Sequence, residues 1–224
     1  MGNTAEIVSS FLRKEGIAAS ILFVVFFRFG ETHMAKLVSP FLLDAPEVGG
    51  LGLSLAEVGF AKGTIGVLAL VAGGILGGLA IYRDGLRAWM WPMVVALNGP
   101  DLLYVYMSWA QPQDYSLICG LIGIESFGYG FGFTAYMMFM IRLAEGRFKT
   151  AHYAFGTGLM ALAVWASQFW SGSMQELLGY QWFFVWVLLL TLPGAFVAWL
   201  VDIPPEFGKR PADPAGVEPG QGNP

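Results

Sequence analysis

Residues 63–82 read GTIGVLALVAGGILGGLAIY, 20 consecutive positions without a charged side chain. A helix needs about 20 mostly apolar residues to cross a bilayer, and the longer run Leu55–Tyr82 that contains this stretch satisfies that need. It lacks period-two alternation and is far longer than a barrel strand, so it reads as a helix and not as part of a β-barrel. Its glycines form two overlapping pairs, Gly73 with Gly77 and Gly74 with Gly78. That spacing lets another helix approach closely inside a bilayer.

Five further runs of the same kind lie around it: Ile17–Leu43, Ala88–Trp109, Tyr115–Leu143, Thr150–Trp170 and Tyr180–Val201. Polar or turn-forming stretches separate them, such as Asp44–Ser54, Ala110–Asp114 and Ser171–Gly179. Ser54 followed by Glu57 is a capping box that opens the second helix. The whole composition agrees. Hydrophobic residues make up 56% and charged residues 12% of the 224, against roughly 45–50% and about 25% in soluble domains, and mean hydropathy is +0.60. A secreted disulfide scaffold is excluded by the single Cys119, and a net charge of -4 disfavours nucleic-acid binding. The first apolar run is too long and too charged for a cleaved signal peptide. The expected architecture is an all-α integral membrane domain of six transmembrane helices over residues 17–202. A short polar lead-in, 1–16, precedes it, and a disordered tail, 203–224, holds six of the 12 prolines.

Nine of the 12 Lys and Arg lie in alternate connecting segments: Arg13, Lys14, Arg83, Arg87, Arg142, Arg147, Lys149, Lys209 and Arg210. The other connections carry acids alone, including Asp44, Glu47, Asp114 and Glu176. Under the positive-inside rule both termini are expected in the cytoplasm.

A charge at mid-membrane costs at least about 2.5–3.5 kcal/mol on insertion scales, so such residues face a cavity or a partner. The first helix holds Arg28, Glu31, His33 and Lys36. Arg28, Thr32 and Lys36 share one lane, with Glu31 beside it and His33 on a different flank. Arg28 and Glu31 are spaced to pair, which leaves two readings: a structural ion pair, or a face that handles substrate or protons. The fourth helix holds Glu125, about 15 Å from its outer end; Glu31 and Lys36 lie about 18 and 10 Å from the outer end of theirs. These depths let all three meet if the helices are neighbours. Glu125 is read either as a proton-relay group, since an unpaired buried carboxylate binds protons more tightly, or as a lone structural acid. Asn98, Pro100 and Asp101 interrupt the third helix and read as a satisfied kink. Pro193-Gly194 reads as another kink, and Lys62 as a snorkelling side chain. His152 and Cys119 read as structural.

No GxSxG, HExxH, GxxxxGK[ST] or CxxC occurs, so neither a catalytic residue set, a metal site nor a cofactor is expected. The turn after the second helix, Gly78-Leu79-Ala80-Ile81-Tyr82-Arg83-Asp84-Gly85-Leu86-Arg87, resembles the loop signature of the major facilitator superfamily. Gly78, Arg83, Gly85 and Arg87 match, with Tyr82 in place of an acid. Further matches are similar to the anhydromuropeptide permease branch of that superfamily. They are Arg28-Phe29-Gly30-Glu31 with Pro40-Phe41-Leu42, and Glu57-Val58-Gly59 with Thr64 and Gly66. Glu125 with Gly130, Gly132, Thr134, Ala135 and Tyr136 follows, then Thr150-Ala151-His152-Tyr153-Ala154, Gly179-Tyr180 and Pro193-Gly194. Lys62 is one place out of register with the family's lysine.

The resemblance implies the C-terminal half of a twelve-helix carrier, itself a 3+3 inverted repeat, in a bacterial inner membrane. It implies that the first and fourth helices line a central cavity and that the second and fifth face a missing N-terminal half. Arg28, Lys36, Thr32 and Tyr136 are the expected substrate-binding residues, Glu31 and Glu125 the proton-coupling pair, and Gly78, Arg83, Gly85 and Arg87 the conformational loop. The expected partners are the lipid bilayer, the other half, protons and a small polar solute such as an anhydromuropeptide, sugar or peptide; no nucleic acid is expected. The competing reading is a non-transporting six-helix module, either a truncated product or an interaction or signalling subunit. A pore is a third reading, without a recognisable filter or a repeated ring of charges.

Overall fold

The computed structural model describes residues 4–210, and among these the regular structure is helical throughout. A short helix, α1 (Thr4–Leu12), precedes α2 (Ile17–Phe26) and α3 (Phe29–Leu43), which are two parts of one apolar segment bent at Phe27–Arg28. The next segment opens as α4 (Leu55–Phe60), widens into a π-helical turn at Ala61–Gly66 and continues as α5 (Val67–Asp84). The expected capping box starts it: the Glu57 amide donates to Ser54 Oγ at 3.3 Å and the Ser54 amide to Glu57 Oε2 at 2.8 Å. Then come α6 (Leu86–Asn98), α7 (Asp101–Ala110), α8 (Tyr115–Ala144) and α9 (Lys149–Leu200). Among the described residues four helical segments are long and apolar enough to cross a membrane: Ile17–Leu43, Leu55–Asp84, Tyr115–Ala144 and Lys149–Leu200. The molecule is a helical integral membrane protein.

Two interruptions shape the rest. Pro100 has no amide hydrogen to donate, and the ladder tightens around it: the Leu102 amide donates to Gly99 O at 3.1 Å and the Leu103 amide to Pro100 O at 2.8 Å. This separates α6 from α7. The second interruption lies inside α9, where Gly179 has φ 68 and ψ 168. Ser167 Oγ donates to Phe29 O at 2.9 Å, while an added Cβ on Gly30 would lie 2.7 Å from Thr191 Cγ2. In a straight helix positions 167 and 191 are about 36 Å apart, so α9 folds back on itself at Gly179 for both to meet the same turn of α3. Pro193-Gly194 serves a close approach, with an added Cβ on Gly194 only 2.7 Å from Phe26 O.

Polar contacts gather the connections at two ends. At one end Gln111 Nε2 donates to Gly49 O, Tyr115 OH to Glu57 O, Gln181 Nε2 to Ser108 O and Tyr180 OH to Asp44 Oδ2. At the other, Lys14 Nζ donates to the carbonyls of Leu143 and Glu145, and Arg147 pairs with Glu6 at 3.0 Å. The turn between α5 and α6 joins this second end through chain residues 203–210. The Leu86 amide donates to Phe207 O at 2.9 Å and the Arg210 amide to Tyr82 O at 2.7 Å.

Both flanks of the apolar runs pack onto the bundle. The lead-in is helical from Thr4, with Phe11 and Ser10 of α1 against His152 of α9. Residues 203–210 are folded, because the exposed polar groups of the α5–α6 turn find partners there and Ile203 is buried. The remainder of the expected disordered tail, 211–224, lies outside the described residues.

The interior has two apolar clusters. Phe23, Phe27, Tyr136, Phe139 and Met140 pack nearer the α1 end, and Phe41, Tyr104, Phe183 and Phe184 nearer the other. The glycine pairs divide their work. An added Cβ on Gly73 would collide with Phe127 O, and one on Gly77 would lie 2.9 Å from Phe131 O, whereas Gly78 has nothing within 4 Å. One stripe of α5 thus seats α8. The opposite side leaves Leu68, Val71, Ile75, Leu76 and Leu79 exposed.

Candidate functional site

Where α3, the π-helical turn, α5, α7 and α8 meet, they line an open cavity of about 240 Å³. Its polar lining is Glu31, Lys62, Tyr104, Glu125, Ser126 and Tyr129, set among Met34, Val38, Val67 and Leu70. Each side chain is placed by a local feature. Glu31 is in the first turn of α3, just after the bend at Arg28, and is 6% exposed. Lys62 rides on the π-helical turn, a distortion that frequently accompanies functional sites. Its ammonium donates to Ser39 Oγ at 3.4 Å and lies within Coulombic reach of Glu125 and Glu31. Glu125, Ser126 and Tyr129 share one face of α8, and Glu125 Oε2 accepts from Ser126 Oγ at 3.2 Å and Tyr104 OH at 3.4 Å.

Arg28 braces this cavity from behind. One guanidinium nitrogen donates to Glu31 Oε2 at 2.9 Å and to Tyr129 OH at 2.6 Å, joining α3 to α8. The guanidinium carbon lies 4.5 Å from the Phe133 ring centroid, 5.3 Å from Tyr129 and 5.9 Å from Tyr136. A planar cation suits that stack of rings better than a lysine would. Both charges are largely buried, with side-chain exposures of 13% for Arg28 and 8% for Glu31. Glu31 therefore has a second role: it neutralises Arg28 while one side of it faces the cavity.

Among the expected site residues, Glu31 and Glu125 line the cavity and Arg28 touches it through Tyr129. Lys36 does not join them. It is exposed, and its Nζ donates to Gln168 O of α9 at 3.1 Å. Thr32 and Tyr136 are buried away from the cavity, because both hydroxyls satisfy carbonyls near the α2–α3 bend. Thr32 Oγ1 donates to Arg28 O at 2.9 Å, and Tyr136 OH to Val24 O at 2.9 Å. His33 takes the other flank of α3, as its position on the helix implied, with Nδ1 2.7 Å from Ser167 O.

Lys62, Tyr104 and Tyr129 were missed as cavity residues. Tyr129 follows Glu125 by one helical turn, a spacing that places both on one face. Lys62, read as a snorkelling side chain, is turned to the cavity by the π-helical turn, which holds more residues than an α-helical one. Asp101, read as part of a kink, is 1% exposed and lies within Coulombic reach of both Glu31 and Glu125.

The loop residues Gly78, Arg83, Gly85 and Arg87 lie far from this cavity, around the α5–α6 turn. Arg83 pairs with its neighbour Asp84 at 2.8 Å, and Trp89 Nε1 donates to the same carboxylate at 2.9 Å. Gly85 has φ 88, and a Cβ there would lie 2.8 Å from Pro205 O.

No family model matches the chain. Curated relatives do match. A protein of Rickettsia conorii named "Putative transporter AmpG 4" is 24% identical over 187 residues, 84% of this chain. One of Rickettsia felis named "Putative transporter AmpG 1" is 26% identical over 183 residues, 79% of this chain. The comparisons support an AmpG-like permease family. An uncharacterized protein of Haemophilus influenzae is also similar, 22% identical over 212 residues and 90% of this chain. The chain spans 44%, 38% and 48% of the lengths of these three proteins.

Proposed function

We propose that this chain is the C-terminal, six-crossing half of a proton-coupled secondary transporter of the major facilitator type, carrying a polar solute such as an anhydromuropeptide, sugar or peptide. The six crossings are α2–α3, α4–α5, α6–α7, α8 and the two arms of α9 on either side of Gly179. The reading is supported by one observation above the others: two carboxyl groups and an amine from three segments line a single cavity inside a largely apolar bundle. Such groups are costly to hold within a membrane unless they handle a polar ligand or a proton. Lys62 is the cation that meets an anionic solute group at the cavity. Glu31 and Glu125 exchange protons, and Arg28 holds Glu31 in place and answers its charge state.

The bundle sits in a bacterial inner membrane with the basic end, and so both termini, in the cytoplasm. The exposed apolar stripe of α5 faces the N-terminal half, and the remaining apolar surface faces lipid. The test is proton-driven uptake into vesicles that hold the complete protein. Glu125→Gln and Glu31→Gln are each expected to lose accumulation against a gradient. Undiminished accumulation in both variants overturns the proton assignment.

A further inference from the structure

Asp101 has no place in the cycle as described so far, yet its surroundings are unusual. It occupies the first turn of α7, directly after the Gly99–Pro100 break, and is 1% exposed. Neither of its carboxyl oxygens has a hydrogen-bond partner. A carboxyl group in that position holds a proton at much lower cost than a charge. The titratable groups that reach it are Glu31 of α3, Tyr104 of α7 itself and Glu125 of α8. Glu31 and Glu125 both act on it through space, and they carry the same sign as an ionised Asp101.

Tyr104 connects the two sites. It follows Asp101 by one turn of α7, and its hydroxyl reaches Glu125 Oε2 at 3.4 Å. The α6–α7 break is also mechanically tied to Glu125. Gly128 lies one turn after Glu125 on α8, and a Cβ on it would collide with Ala96 O and lie 2.9 Å from Pro100 Cγ. A shift of α8 that moves Glu125 therefore presses on the hinge that carries Asp101.

We propose that Asp101 is a buried proton-binding site that exchanges its proton with Glu125 through the Tyr104 hydroxyl. When rotation of the Asp101 side chain brings its carboxyl to Tyr104, one turn further along α7, the Asp101 O–H proton passes to Tyr104 Oη as the Tyr104 O–H proton passes to the Glu125 carboxylate. Asp101 is left ionised, Glu125 neutral and Tyr104 unchanged, so one proton has moved. The use of this site in transport rests on the proton-coupled reading above, but its protonation is measurable without transport.

The experiment is infrared spectroscopy of the complete protein in lipid vesicles at neutral pH, with ¹³C-labelled aspartate. The expected result is a carbonyl band of protonated aspartic acid that moves with the label and is absent in Asp101→Asn. Tyr104→Phe is expected to slow the hydrogen–deuterium exchange of that band. Absence of the band from the wild-type protein, or its survival in Asp101→Asn, overturns the proposal. In uptake assays Asp101→Asn is expected to lower proton-driven accumulation by about a hundredfold, the lower range for a positioned proton carrier. Asp101→Glu is expected to restore part of it with a displaced pH profile, a rescue that a packing role does not produce. Undiminished accumulation in Asp101→Asn overturns the exchange with Glu125. A wild-type protein that accumulates nothing under a proton gradient overturns the transport reading instead, and the infrared band still decides whether Asp101 holds a proton.

Discussion

Arg28 is the residue on which the site turns. It stands at the bend between α2 and α3, with φ -112 and ψ 9, where the helical ladder is interrupted and Thr32 answers its carbonyl. Its charge is balanced by Glu31 and spread over Phe133, Tyr129 and Tyr136. Removing one member of such a buried pair strands the other. Arg28→Leu is therefore expected to cost about 3–5 kcal/mol of stability, read as a lower unfolding midpoint in detergent. The double change Arg28→Leu with Glu31→Leu is expected to regain much of the loss, because no unpaired charge then remains. A double variant no more stable than the single one contradicts this account. The pairing itself was legible from the spacing of residues 28 and 31. The tyrosine and phenylalanine rings that complete it lie a hundred residues further along the chain, and no local pattern announces them.

The helices show how one pattern divides between neighbours. Both glycine pairs of α5 look alike in sequence, yet Gly73 and Gly77 meet α8 while Gly78 is open. Gly73→Ala is expected to destabilise the bundle by about 1–3 kcal/mol through overpacking against the backbone at Phe127. Gly78→Ala is expected to leave the unfolding midpoint nearly unchanged in the same measurement. The α5–α6 turn offers a second contrast. Gly85 combines a positive φ with the close carbonyl of Pro205, so Gly85→Ala is expected to cost about 1–3 kcal/mol of backbone strain. It should also raise protease cleavage at residues 203–210, which pack on this turn; unaltered proteolysis contradicts their dependence on it. No local pattern in the sequence marks the π-helical turn. Across Ala61–Gly66 the helix departs from the α-helical period, and Lys62 on that turn reaches the cavity.

Across the molecule, the connecting segments sort to two ends, with α1, the α5–α6 turn, the α8–α9 connection and residues 203–210 at the same one. With Cys119 replaced by Ser, a cysteine introduced at Arg87 and one at Gln113 are expected to react with a membrane-impermeant maleimide from opposite faces of the membrane. Labelling of both from one face overturns the topology. Membrane residence, helical class, the capping box at Ser54 and the segregation of Lys and Arg all follow from residues near one another in the chain. They depend on hydropathy, helical period and local charge, which any segment carries with it. The meeting of Glu31, Lys62, Asp101 and Glu125 is of another kind. Which side of each helix faces inward, where Lys36 and Tyr136 turn away, and how far α9 travels before reversing at Gly179 are settled by close packing between distant segments. That packing is set by shape, above all by where glycine lets two backbones touch, and shape complementarity cannot be read from either partner alone.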